Sequence, residues 1–206
     1  MKRIVLAGLG VIGLAATAFA ADRFPQQPLD QMSPLGKELA EKMMSGPRKG
    51  IIGPFNTWLR SPEQAQGWLG VSDYIRYKTT IPPRLNEFAI IVIAREATAQ
   101  YEWYAHHPLA IKGGLKPEIA EAVRLGKRPT GMAEDEALVY DFTIALQRNH
   151  GRVPDALFDK VRKTFGEQGI ADLIGVNGFY SAVSMTLNVA QVPMPEGEPD
   201  PLPALK

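Results

Sequence analysis

The chain has 206 residues, 45% of them hydrophobic and 22% charged, with 23 Lys+Arg against 22 Asp+Glu and no cysteine. That length and apolar content suit one packed globular domain or two closely joined halves. The balanced charge gives no electrostatic case for nucleic acid or an anionic membrane, and the missing thiol excludes disulfides, thiol redox chemistry and thiolate metal sites.

Residues 1–20 read as a cleavable secretory signal. Lys2-Arg3 is the charged start, Ile4–Ala16 the apolar run and Ala18-Phe19-Ala20 the small-residue cleavage site. The apolar run is shorter than the ~20 residues a membrane span needs. The expectation is an exported, periplasmic protein with no membrane attachment after cleavage. Removing the signal takes away Lys2 and Arg3 and no acid, which leaves 21 basic and 22 acidic residues and a formal charge of −1. Gly8-Leu9-Gly10-Val11-Ile12-Gly13 fits a dinucleotide-binding pattern formally, but it lies inside the signal and opens no βαβ unit.

Residues 21–34 carry Pro25, Pro28 and Pro34 and read as an extended arm. A first helix is expected over Leu35–Met44, with Ser33 as its cap and Gly46-Pro47 as its stop. Residues 21–50 thus form an arm and first helix, 51–192 a helical domain and 193–206 a proline-rich tail. A glycine- and proline-bearing loop, Gly50–Pro54, leads into Phe55-Asn56-Thr57-Trp58-Leu59. Ser61-Pro62-Glu63 then opens a helix through cap, first-turn proline and acid. Its expected apolar face is Trp68, Leu69, Val71, Tyr74, Ile75 and Tyr77.

After Pro82-Pro83, Phe88–Ala94 is continuously apolar. Such a run suits a buried strand or a buried helix. Helix is favoured because the neighbours are helical and no hairpin signal flanks it. Glu87 starts this element, and 15 residues separate it from Glu102. On one straight helix the two would stand about 22 Å apart. They share a site only if the chain turns between them, and Thr98 is the candidate cap of a second helix that stops at Gly113-Gly114. Further helices are expected over Lys116–Leu125, Met132–Arg148, Pro154–Phe165 and Gln168–Val189. The fold class is therefore all-α, a bundle of about seven helices after the signal, with no significant β-sheet.

Tyr101-Glu102-Trp103-Tyr104-Ala105-His106-His107 concentrates proton-carrying groups among aromatic rings. Glu102 and His106 are i,i+4 neighbours on a helix. A carboxylate beside an imidazole raises its pKa and fixes its tautomer, which suits acid or base work near neutral pH. The same spacing also fits an ordinary surface pair worth a few tenths of a kcal/mol.

Several stretches, in order, resemble the carboxymuconolactone decarboxylase-like family, which is related to the alkylhydroperoxidase D-like proteins. They are Gly53-Pro54-Phe55-Asn56-Thr57-Trp58-Leu59-Arg60-Ser61-Pro62, Pro83-Arg84-Leu85-Asn86-Glu87, Tyr101-Glu102-Trp103 with His106, Ala110 with Gly114-Leu115, and Tyr180 with Leu187-Asn188. The resemblance covers about Gly46 to Pro203. The peroxidase branch has Glu, eleven residues, Cys-x-x-Cys, three residues and His. Here Glu87 and His106 keep the frame, while Ala99 and Glu102 stand at the cysteine positions, so thiol peroxidase chemistry is excluded. The decarboxylase branch has a Glu-x-x-x-His like Glu102–His106.

The resemblance implies an all-helical, oligomeric fold, dimeric or trimer-based, in which Glu87, Glu102 and His106 converge. It implies a cofactor-free lyase or isomerase acting on a small lactone or keto-acid. His106, Glu102 and Glu87 would be catalytic. Trp103, Tyr101, Arg84, Phe55, His107 and Asn188 would contact the substrate, with Arg84 or Arg95 as a carboxylate-holding cation. Two other readings stay open: a zinc or manganese site built from Glu102, His106 and Glu87, and a non-catalytic small-molecule-binding module with an aromatic pocket.

Overall fold

The protein is an all-α bundle in which α4, Pro83–Glu96, is the central element. The computed structural model describes residues 23–204; the expected signal, residues 1–20, lies outside them. Among the described residues there are eight α-helices, one 3-10 turn at Leu29–Gln31 and no strand. The apolar run of α4 is buried on every side: Leu85 and Phe88 through Ala94 are all within 1% of full burial. A helix apolar all round needs neighbours all round. Here α5, α7 and α8 supply most of them.

The outer elements follow their end signals. Helix α1, Pro34–Ser45, is capped by Ser33, whose Oγ accepts from the Gly36 N–H at 3.1 Å. The short α2, Phe55–Trp58, and then α3, Pro62–Tyr77, follow the glycine-bearing loop. Ser61 makes no side-chain cap to α3, so the first-turn proline and Glu63 carry that start. The buried face of α3 also differs from expectation. It is Ala65, Leu69, Ser72 and Ile75, while Val71, Tyr74 and Tyr77 are exposed.

The chain turns between α4 and α5, Gln100–Lys112, in three residues. Thr98 is not the cap. It takes the left-handed conformation, φ 48°, and Ala99 occupies the cap position with no side-chain bond. So tight a reversal needs one left-handed residue, and hydrogen bonds from Thr98 N to Arg95 O (3.0 Å) and from Ala99 N to Ala94 O (2.8 Å) hold it. At its other end α5 approaches the start of α4 closely. A Cβ on Gly113 would stand 3.2 Å from the Arg84 Cα, tighter than a side chain normally tolerates.

Helices α6, Pro117–Arg124, and α7, Glu134–Arg148, lead to α8, Asp155–Ala190. The two final helices expected from sequence run as one span, broken at Gly166, whose φ of 71° and ψ of 178° are not helical. Although α8 is long and apolar enough to cross a bilayer, more than half of its most apolar window is buried, against α4 and α7 among others. The tail has no helix but is docked. Leu202 is buried, and Gln100 exchanges two hydrogen bonds with the Leu202 backbone, at 2.8 and 2.9 Å. Arg95 donates to the Pro203 carbonyl at 2.8 Å and Arg124 to that of Pro201 at 3.0 Å.

Candidate active site

The turn after α4 carries α5 back beside it, and this brings Glu87, Glu102 and His106 together. His106 Nδ1 lies 2.6 Å from Glu87 Oε2, and Nε2 lies 3.1 Å from Glu102 Oε1. The Glu87 contact is a short, aligned hydrogen bond. The Glu102 contact is close enough for an ion pair but off the line of a hydrogen bond, and Oε1 has no other partner among the described residues. The imidazole is therefore held at both nitrogens by carboxylates from two helices. The His106 and Glu102 side chains are almost fully buried, and Glu87 is 15% exposed.

The electrostatics follow. Burial pulls the His106 pKa down. The Glu102 charge and contact, then the Glu87 hydrogen bond and charge, outweigh it, and the result is a rise from 6.5 to about 9. At neutral pH the group is an imidazolium between two carboxylates, with a proton on each nitrogen; Nδ1 donates to Glu87, and Nε2 meets Glu102 through charge alone. The Tyr180 ring stands edge-on to it, with centroids 5.1 Å apart at 79°. Burial, then the charge of Glu102, pushes the Tyr180 phenol well above its usual pKa. It remains a protonated donor.

His106 and Glu102 form part of the wall of a cavity of about 210 Å³ between α3, α5, α8 and the loop before α2. Phe55, Tyr77, Tyr101, Phe179 and Tyr180 supply its aromatic surface, and Arg48, Ser72 and Arg76 its other polar groups. Glu87 is not in the wall; it holds His106 from behind. A larger open hollow of about 1020 Å³ lies between the tail and α8, and it contains none of the triad.

The other residues singled out from sequence divide clearly. Phe55 and Tyr101 line the cavity. Trp103 does not; it is buried in the core and stacks on His107 with centroids 5.5 Å apart. His107 turns away on that stack, and burial, then Arg124, lowers its pKa against the opposing pull of Glu121. Asn188 lies in the tail hollow and donates to the Ala97 carbonyl at 2.9 Å. Arg84 is engaged elsewhere, pairing with Asp135 at 2.7 Å and with Glu136 at the start of α7. Arg95 is buried beneath the tail. Neither arginine reaches the cavity. The cavity's cations are Arg48 and Arg76, which sequence reasoning missed; Tyr180 was named in the resemblance but given no place in the site.

The three-ligand metal set does not form. Glu87 and Glu102 meet opposite nitrogens of one ring, so an ion bound at either nitrogen would have only one of the two carboxylates beside it. Among the described residues no group of three or more His, Asp or Glu is placed to hold a metal. No family model matches the chain, and no curated protein matches it.

Proposed function

We propose that the protein is a cofactor-free lyase or isomerase-type enzyme, similar to the carboxymuconolactone decarboxylase-like proteins, acting on a small lactone or keto-acid. One observation carries the reading: a buried histidine ring with Glu87 at one nitrogen and Glu102 at the other, in the wall of an aromatic cavity. Nothing in simple helix packing calls for three ionisable groups at that depth, and such clusters mark sites of proton chemistry.

In this reading His106 is the general acid. When a carboxylate leaves as carbon dioxide, the C–C bond breaks and its electron pair remains as an enolate or carbanion. His106 delivers its proton to that carbon and is recharged from water. An isomerisation uses the same proton and returns it. Glu87 fixes the ring and offsets its charge, while Glu102, in the wall, steers the second nitrogen. General acid catalysis of this kind contributes roughly 10²–10⁴-fold.

The test is proton exchange and turnover on a panel of lactones and keto-acids, followed by proton NMR in deuterium oxide. His106→Gln should lower the rate by roughly 10²–10⁴-fold while ligand is still bound. A variant that loses only affinity would instead make the protein a binding module, a reading that the aromatic walls favour. Export to the periplasm belongs to the same proposal, and so does a homo-oligomer, dimeric or trimer-based. Sedimentation of the purified protein tests the oligomer, and a monomer would count against it.

A further inference from the structure

Three polar groups reach this cavity without a hydrogen-bond partner. Glu102 Oε1 is buried and makes no aligned hydrogen bond. The Tyr180 hydroxyl, on a side chain 2% exposed, bonds to no other described residue. Arg76 is part-buried and forms no ion pair or hydrogen bond with a described residue; Glu87 and Glu102 act on it only through longer-range charge, and its guanidinium lies over the Tyr77 ring at 5.9 Å. Arg48 is different, because Asp73 at 2.6 Å and Ser72 at 2.9 Å already engage it. A buried polar group persists when something meets it. These three ask for different things: Arg76 for an anion, Tyr180 for an acceptor and Glu102 for a donor.

The space limits what can answer. About 210 Å³ is the liquid volume of roughly seven waters at ~30 Å³ each. The aromatic walls favour a flat, apolar body.

We propose that the cavity takes a ring-sized organic monoanion, a carboxylate carrying a neighbouring hydroxyl or enol, and that Arg76 is the residue that selects for the carboxylate. The guanidinium fork meets the carboxylate, as planar bidentate pairing favours. Tyr180 donates to a ligand oxygen, and Glu102 accepts from the hydroxyl or enol. Arg48 stays with Asp73 and supports the wall. This rests on the proposed function and narrows it: a neutral lactone lacks the group Arg76 reads, and a hydroxy- or keto-acid has it.

The experiment is calorimetric binding of two probes of equal shape, 2-hydroxybenzoate and 2-hydroxybenzamide, to the wild type and to Arg76→Gln, Arg76→Lys and Tyr180→Phe. Circular dichroism and melting midpoints establish that each variant folds. The wild type should prefer the anion by about 10-fold or more. Arg76→Gln should abolish that preference and Arg76→Lys restore part of it. Tyr180→Phe should weaken both probes by a few-fold. Equal affinity for acid and amide, a preference that survives Arg76→Gln, or no binding of the anion at millimolar concentration would each overturn the assignment. The readout is equilibrium binding, so it fails separately from the catalytic reading. Arg76-dependent binding with no turnover would sink the enzyme alone. His106-dependent turnover without anion preference would sink the Arg76 assignment alone.

Discussion

His106 concentrates the consequences at the scale of single residues. Its folded pKa of about 9 lies above the 6.5 of an unfolded histidine, so the folded state binds the proton more tightly. The resulting stability is fully present below pH 6.5 and is lost as pH rises through about 9. The shift corresponds to something on the order of 3 kcal/mol. Urea unfolding at pH 6 and pH 9.5 should show the wild type losing stability over that window, and His106→Gln losing much less. If His106 is the acid, turnover holds up to about pH 8 and falls as pH rises through about 9. Glu87 acts through the ring, so Glu87→Gln should lower the His106 pKa by about one unit or more. A substitution that left this pKa unchanged would remove Glu87 from the account.

The reversal between α4 and α5 decides, at the scale of elements, whether a site exists. Thr98 sits there at φ 48°. A left-handed β-branched residue costs about 1–2 kcal/mol, and glycine escapes most of that. Thr98→Gly should therefore stabilise the protein by up to about 1 kcal/mol in denaturant melts. Were Thr98 a helix cap, Thr98→Ala would cost about 0.5–2 kcal/mol through its lost hydroxyl. Here there is no such bond to lose, and any cost of Thr98→Ala should be small. The approach of α5 to α4 at Gly113 gives a second handle. Gly113→Val would push a branched side chain against Arg84 Cα. It should destabilise by more than 1 kcal/mol and move His106 relative to Glu87.

The bundle class was legible in the sequence at the scale of the whole molecule, because helix starts such as Ser33-Pro34 and Pro82-Pro83 are local chemistry. The run Phe88–Ala94 was less so, since a buried strand and a buried helix look alike until neighbours are known. Convergence of Glu87 with His106 was suggested by the family resemblance and not by the turn itself, which contains neither glycine nor proline. Arg84 misled for a plain reason: sequence proximity to Glu87 says nothing of Asp135 and Glu136, 51 and 52 residues away, which engage it. Arg76 and Tyr180 come from α3 and α8; the resemblance names Tyr180 without a role, and no local motif ties Arg76 to His106. One signal was available. Ala65, Leu69, Ser72 and Arg76 follow helical spacing, so an arginine continues a buried stripe. The tail reads as loose by composition, yet Leu202 is buried and its backbone is bonded by Gln100. Leu202→Ala should cost about 2 kcal/mol or more in thermal or urea melts if the tail is part of the fold.

A site-resolved NMR titration of the three histidine rings reads the charge state of His106 itself. His106 should titrate near 9, with both ring nitrogens protonated at pH 7.5, and Glu87→Gln should bring the value down. A His106 that titrates at or below 6.5 in the folded protein would contradict the clamped imidazolium and the acid chemistry built on it.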